Sequence, residues 1–125
     1  MKKIINTYNA PTPIGPYSQA VLNNNILYTS GQIALDPISG DLKMNSIKEE
    51  TTMVMENLKA VLLEAKMTFD NVFKTTIFIT DMNDFTAINE VYATYFNKNY
   101  APARETVQVA ALPKNVNVEI SMMAS

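Results

Sequence analysis

Val72-Phe73-Lys74-Thr75-Thr76-Ile77-Phe78-Ile79-Thr80 is the stretch on which the fold turns. Its alternation and β-branched residues make it a strand. On its N-terminal side Ile47, Thr51, Val54, Met55, Leu58, Val61, Leu62 and Ala65 recur at helical spacing. Ser46 stands where it can cap that helix, with Glu49 three residues on to complete a capping box. On the C-terminal side Asn83 or Asp84 caps a second helix, whose stripe is Phe85, Ile88, Val91, Tyr92, Tyr95 and Phe96. Working outward, Lys3 to Thr7 reads as a short strand and Ala10 to Pro16 as an irregular Pro/Gly loop. Asn23-Asn24-Asn25 is a turn, since Asn tolerates left-handed backbone. Ile26 to Leu35 is a strand with Gly31 inside it, and Asp36 to Asp41 is a loop. Thr106 to Leu112 and Val116 to Ala124 close the chain as two strands joined at Pro113-Lys114-Asn115. The order β-β-α-β-α-β-β is an α+β pattern.

Two helices cover one face of a sheet and leave the other to be explained. On the last strand Val116, Val118, Ile120 and Met122 share one face, and Asn117, Glu119, Ser121 and Met123 the other. Thr106, Gln108 and Ala110 form a similar half-polar row, as do Tyr28, Ser30 and Gln32. Aligned, these rows make a face too mixed for a core. It is either solvated or an oligomer interface with polar pockets.

The chain has 125 residues, 47% of them hydrophobic and 18% charged, which predicts one globular domain over residues 1–125. Ten basic against twelve acidic residues give a net charge of −2, which argues against a nucleic-acid partner or a membrane surface. The absence of cysteine excludes disulfides, thiol nucleophiles and thiolate metal sites. The absence of histidine excludes a Ser-His-Asp triad and the commonest zinc ligand. The opening residues show no apolar run, so neither a signal peptide nor a membrane span is expected, and the expected location is cytoplasmic. Any catalysis must draw on carboxylates, Lys, Arg, Tyr, hydroxyls or backbone.

Arg104 is the lone arginine beside nine lysines. A planar fork that grips a carboxylate with two hydrogen bonds has no lysine substitute, so Arg104 is a candidate anion site; a surface arginine is the alternative. Glu119, between Val118 and Ile120, would orient water and move protons if it lies in a pocket, and is otherwise a solvated strand residue. Tyr17 follows Gly15-Pro16 in the Pro-bounded loop. Ser30 precedes Gly31, where a ligand could approach the backbone or a β-bulge could sit. Asn89 interrupts the second helix. Metal-ligand clusters and a phosphate-binding glycine loop are missing from the pattern; the three glycines stand apart.

Four segments, in order along the chain, resemble the reactive intermediate deaminase family (RidA/YjgF type, also labelled endoribonuclease L-PSP). They are Ala10-Pro11 with Ile14 to Ala20, Tyr28 to Ile33, Lys74 to Phe85, and Pro102-Ala103-Arg104 followed by Val107, Val109-Ala110, Leu112-Pro113 and Val118-Glu119-Ile120. The resemblance implies a chorismate-mutase-like fold, a mixed sheet with two helices packed on one face, assembled as a homotrimer with a central barrel-like core and a pocket between each pair of subunits. It implies hydrolysis of 2-iminobutanoate and 2-iminopropanoate, or their enamine tautomers, to 2-oxo acids and ammonia, with no metal or organic cofactor. Arg104 would hold the substrate carboxylate and Glu119 would orient the attacking water. Tyr17, Ser30 and Asn89 would line the pocket, with Gly31 and Thr106 offering backbone groups. A non-catalytic trimer that binds small anions such as 2-oxo acids is the alternative, as is the ribonuclease or translation-inhibitor activity with which some relatives are labelled. Glu105 and Ser121 depart from the family pattern; alternation turns Glu105 away from the Arg104 face.

Overall fold

The computed structural model describes all of residues 1–125. Its elements are β1 (Lys3–Ile5), β2 (Ala20–Asn23), β3 (Ile26–Thr29), α1 (Ile47–Glu64), β4 (Val72–Ile79), α2 (Phe85–Ala93), β5 (Ala103–Gln108) and β6 (Val118–Ala124). The six strands form one sheet in the order β1-β2-β3-β6-β4-β5. Every pairing is antiparallel except β4 with β5, which is parallel. A parallel pair needs a crossover, and α2 supplies it. The architecture is mixed α+β, one sheet and two helices, and neither helix is long and apolar enough to cross a membrane.

The apolar stripe of α1 packs as its spacing predicts: Val54, Met55, Leu58, Val61 and Leu62 are buried against Ile77, Ile79, Val118, Ile120 and Met122 of the sheet. Three polar residues, Glu50, Thr51 and Asn57, are buried with that stripe. Glu50 is fully buried, and its carboxylate accepts from Asn117 N (2.7 Å), Asn117 Nδ2 (2.8 Å) and Val118 N (3.2 Å), which pins the entry to β6. Asn57 Nδ2 donates to the carbonyls of Ile33 (3.1 Å) and Leu35 (2.8 Å) and ties the irregular chain after β3 to the helix.

The helix starts differ in detail from expectation. Ser46 Oγ accepts from Glu49 N at 3.1 Å, but the Glu49 carboxylate takes Asn45 Nδ2, so the reciprocal half of the box is missing. Asp84 holds the N-cap position of α2 but makes no side-chain cap bond; a 3₁₀ turn, Met82–Asp84, precedes the helix and is capped by Asp81, whose Oδ1 accepts from Asn83 N at 2.9 Å. α2 ends at Ala93, earlier than its aromatic stripe.

The strands depart further. Ala20–Asn23 is a strand that propensity alone did not mark. It pairs with β3 through a two-residue turn in which Asn24 (φ 53) and Asn25 (φ 65) are both left-handed. The run expected from Ile26 to Leu35 stops at Thr29, and β5 runs from Ala103 to Gln108 rather than from Thr106 to Leu112. The expected row of Thr106 and Gln108 alongside Glu119 is also corrected. In the β4–β5 register Thr106 pairs with Ile77 and Gln108 with Ile79, both core-facing, so this row lies on the helix side. Glu105 and Val107 take the open face instead.

That open face holds Tyr28, Met123, Ser121, Glu119, Thr76, Phe78, Glu105 and Val107 on successive strands. Ile4 (50% exposed), Tyr28 (39%) and Val107 (44%) leave apolar surface uncovered there.

Candidate functional site

The Pro-rich loop cannot satisfy its own backbone, because Pro11, Pro13 and Pro16 carry no N–H. Gln19 does it for them from a buried position. Its Oε1 accepts from Thr7 N (2.7 Å), and its Nε2 donates to the carbonyls of Thr7 (2.9 Å), Ala10 (3.3 Å) and Pro11 (2.9 Å). Only an amide offers an acceptor and two donors in one group. Ser30 latches the other end of the loop: its hydroxyl donates to the Ser18 carbonyl at 2.6 Å and its N–H to the Gln19 carbonyl at 2.9 Å. The Ser30 proton is therefore committed to the backbone.

Between this loop, the end of β3 and the Leu112–Val116 turn lies a cavity of about 390 Å³, lined among others by Tyr17, Ser30, Gly31, Lys114 and Glu119. A β-bulge opens it. β3 pairs Tyr28 with Met123, and beyond it Gln32 bridges Ile120, so residues 28 to 32 oppose 123 to 120 and one extra residue is absorbed at Ser30-Gly31. Gly31 sits against Glu119 itself. A β-carbon there would overlap the carboxylate, 2.7 Å from Cδ and 2.9 Å from Cγ. Glycine is used here for space, since positive φ among the glycines occurs only at Gly40. Glu119 is half-buried, accepts no hydrogen bond from the protein, and has its pKa raised by burial. A partly desolvated, unpaired carboxyl group is suited to exchange a proton with a ligand or water. Lys114, held in left-handed backbone (φ 56), is the one cation lining this cavity.

Arg104 lies elsewhere. It is the second residue of β5, opposite core-facing Thr75, and so points to the helix side. Nη1 donates to Asn89 Oδ1 at 2.7 Å. The guanidinium carbon stands 5.0 Å from the centroid of Tyr92 and 5.7 Å from that of Phe85. Phe85, Asn89 and Tyr92 are spaced four and three apart, one stripe of α2. None of the three ion pairs of the fold involves Arg104, so its charge is held by neutral groups alone. Thr106, two residues on and on the same side, has a buried hydroxyl without a partner. Glu105 turns the other way, to Lys74 Nζ and Thr76 Oγ1, and hydrogen bonds from those two groups lower its pKa.

The predicted residues therefore fall into two groups. Tyr17, Ser30, Gly31 and Glu119 converge; Asn89 and Arg104 converge, with Thr106 alongside. The sheet separates them: Arg104 is on the helix side and Glu119 on the open side, so one chain does not bring them together. Reasoning from sequence missed Gln19 as the organiser of the loop, and took Phe85 and Tyr92 for core stripe alone. The spacing of Phe85, Asn89 and Tyr92 was the available signal for the second.

The sequence profile of the family described as Endoribonuclease L-PSP matches residues 7–125. A RutC family protein of Pyrococcus horikoshii is 48% identical over 124 residues, spanning 99% of this chain and 98% of its own. The human 2-iminobutanoate/2-iminopropanoate deaminase is 46% identical over 124 residues, 99% of this chain and 90% of its own. Among solved structures, the Rid family protein YyfA of Yersinia pestis superposes with a TM-score of 0.97 at 51% identity, covering 100% of this chain and 99% of that one. Escherichia coli TdcF with bound serine superposes with a TM-score of 0.92 at 43% identity, covering 98% and 97%.

Proposed function

The chain belongs to the endoribonuclease L-PSP (YjgF/RidA) family, and from that premise we propose that it hydrolyses small 2-imino acids, 2-iminobutanoate and 2-iminopropanoate, to 2-oxo acids and ammonia. The observation that carries this reading is the division of the site into two halves. One is a guanidinium with no anion, and the other a half-buried carboxylate with no cation paired to it. A homotrimer of the chorismate-mutase type would join them, with Arg104 of one copy facing Glu119 of the next. The uncovered apolar groups on the open sheet face supply the surface for such an assembly, the strands meeting as a central barrel.

In that pocket Arg104 takes the substrate carboxylate with two parallel hydrogen bonds. Water adds its oxygen to C2 of the imine, and one of its protons passes through Glu119 to the nitrogen. The resulting carbinolamine collapses. Its hydroxyl proton takes the same route, the C–N bond breaks, ammonia leaves and C2 becomes the oxo carbon. The substrate is small and already electrophilic, so a clamp and a placed water supply most of what is needed.

A coupled assay tests the proposal. A threonine dehydratase generates 2-iminobutanoate in the presence of semicarbazide, which traps the imine. Adding the protein should raise 2-oxobutanoate formation and reduce trapping. Equal rates with and without it would remove the deaminase reading and leave an anion-binding protein.

A further inference from the structure

We propose that Tyr92, with Phe85 beside it, is a positioning residue: an aromatic cradle that fixes the plane of the Arg104 guanidinium for an incoming carboxylate. The inference rests on the reading of Arg104 as the carboxylate clamp and adds what makes the clamp work. An arginine side chain has many rotamers, and an unpaired one at a sheet edge would sample them. A carboxylate partner would hold it still but would neutralise it and compete with the substrate. Aromatic faces hold it and leave its charge in place. Asn89 takes one N–H through a neutral oxygen, which leaves the rest of the fork for a ligand.

Tyr92 is built to serve as a fixed surface. The residue is 6% exposed. Its hydroxyl donates to Thr75 Oγ1 at 3.0 Å, and Thr75 is the residue directly opposite Arg104 in the β4–β5 register. Phe96 packs against the ring with centroids 4.7 Å apart. The ring is thus held at its far end by the strand next to β5 and flanked by a second aromatic. Burial raises the hydroxyl pKa, so the group stays a donor. The same β4–β5 pairing that places Arg104 also places the surface on which it rests.

The test is calorimetric binding of 2-oxobutanoate to the full chain, with melting temperatures alongside. Arg104→Lys should lose measurable binding. Tyr92→Phe keeps the ring and loses the hydrogen bond to Thr75; it should melt lower yet bind within about threefold of the parent. Tyr92→Leu loses the ring and should bind about tenfold more weakly, and Phe85→Leu about threefold more weakly. A folded Tyr92→Leu that binds as tightly as Tyr92→Phe, while Arg104→Lys does not bind, would overturn the cradle and leave the clamp standing. Should Tyr92→Leu fail to fold, Phe85→Leu decides in the same way: parent-like binding overturns the proposal. Parent-like binding by Arg104→Lys would remove the clamp, and the cradle with it.

Discussion

Burial raises the Glu119 carboxyl pKa above its ordinary value of 4.5, and no cation in the same chain offsets the effect. The folded protein therefore holds this proton more tightly than the unfolded chain does. Stability from this group is full below pH 4.5 and is lost as pH rises through the raised value. Where burial outweighs the Arg104 that a trimer would bring near, Glu119→Gln, uncharged throughout, melts above the parent at pH 7, with the gap closing towards pH 4. Its turnover should fall roughly 10²–10⁴-fold, because it cannot accept a proton. Thermal scans at both pH values beside the deaminase assay check both halves; a variant that melts lower at pH 7 would remove the desolvation account. Gly31→Ala probes the same group from the other side. The atoms it would strike are the far end of a flexible side chain, so the fold should survive. The carboxylate must move, and a displacement of about 1 Å can cost on the order of 10²-fold in rate. Near-normal melting with a large loss of kcat/KM is the expected outcome. An unchanged rate would show that the position of Glu119 against Gly31 is immaterial.

Among the elements, α1, α2, β4 and β6 were legible because long periodic runs fix both type and face. The edges were not. β2 is four residues long, and its evidence lay in the Asn24-Asn25 turn rather than in its own composition. The face of β5 was misassigned because strands of alternating small and polar residues carry no hydrophobic parity. Only the register with β4 decides that Arg104 and Thr106 look towards the helices. Arg104 and Glu119 could be singled out from residue type, but their separation by the sheet required the pairing. Gln19 was invisible as a function because its value lies in four contacts to a loop whose path no local pattern specifies. Gln19→Leu should leave those backbone groups unpaired and destabilise the protein on the order of 3 kcal/mol, measured by urea denaturation. The Pro loop would loosen, and the KM for imine should rise with it. Unchanged stability would show that the loop closes on water instead.

For the whole molecule, the sheet has one face under two helices and one carrying exposed Ile4, Tyr28 and Val107. If that face is the centre of a trimer, light scattering at micromolar concentration should return about three times the chain mass of 13.9 kDa, by the logic of closed symmetry. A monomer would leave the two half-sites apart and end the proposed mechanism. The placement of Arg104 and Glu119 on opposite sides of the sheet has a genetic corollary. Take two dead proteins, Arg104→Lys and Glu119→Gln, unfold them together in equal amounts and let them refold. In such a trimer every boundary between copies would draw its arginine from one chain and its glutamate from another. By chance the intact arginine of one mutant meets the intact glutamate of the other at about a quarter of boundaries, and activity should return to about a quarter of the parent value. A site complete within each chain would stay dead however the two were mixed. In a cell with two such alleles, neither gene would encode a working enzyme, and the cell would have one.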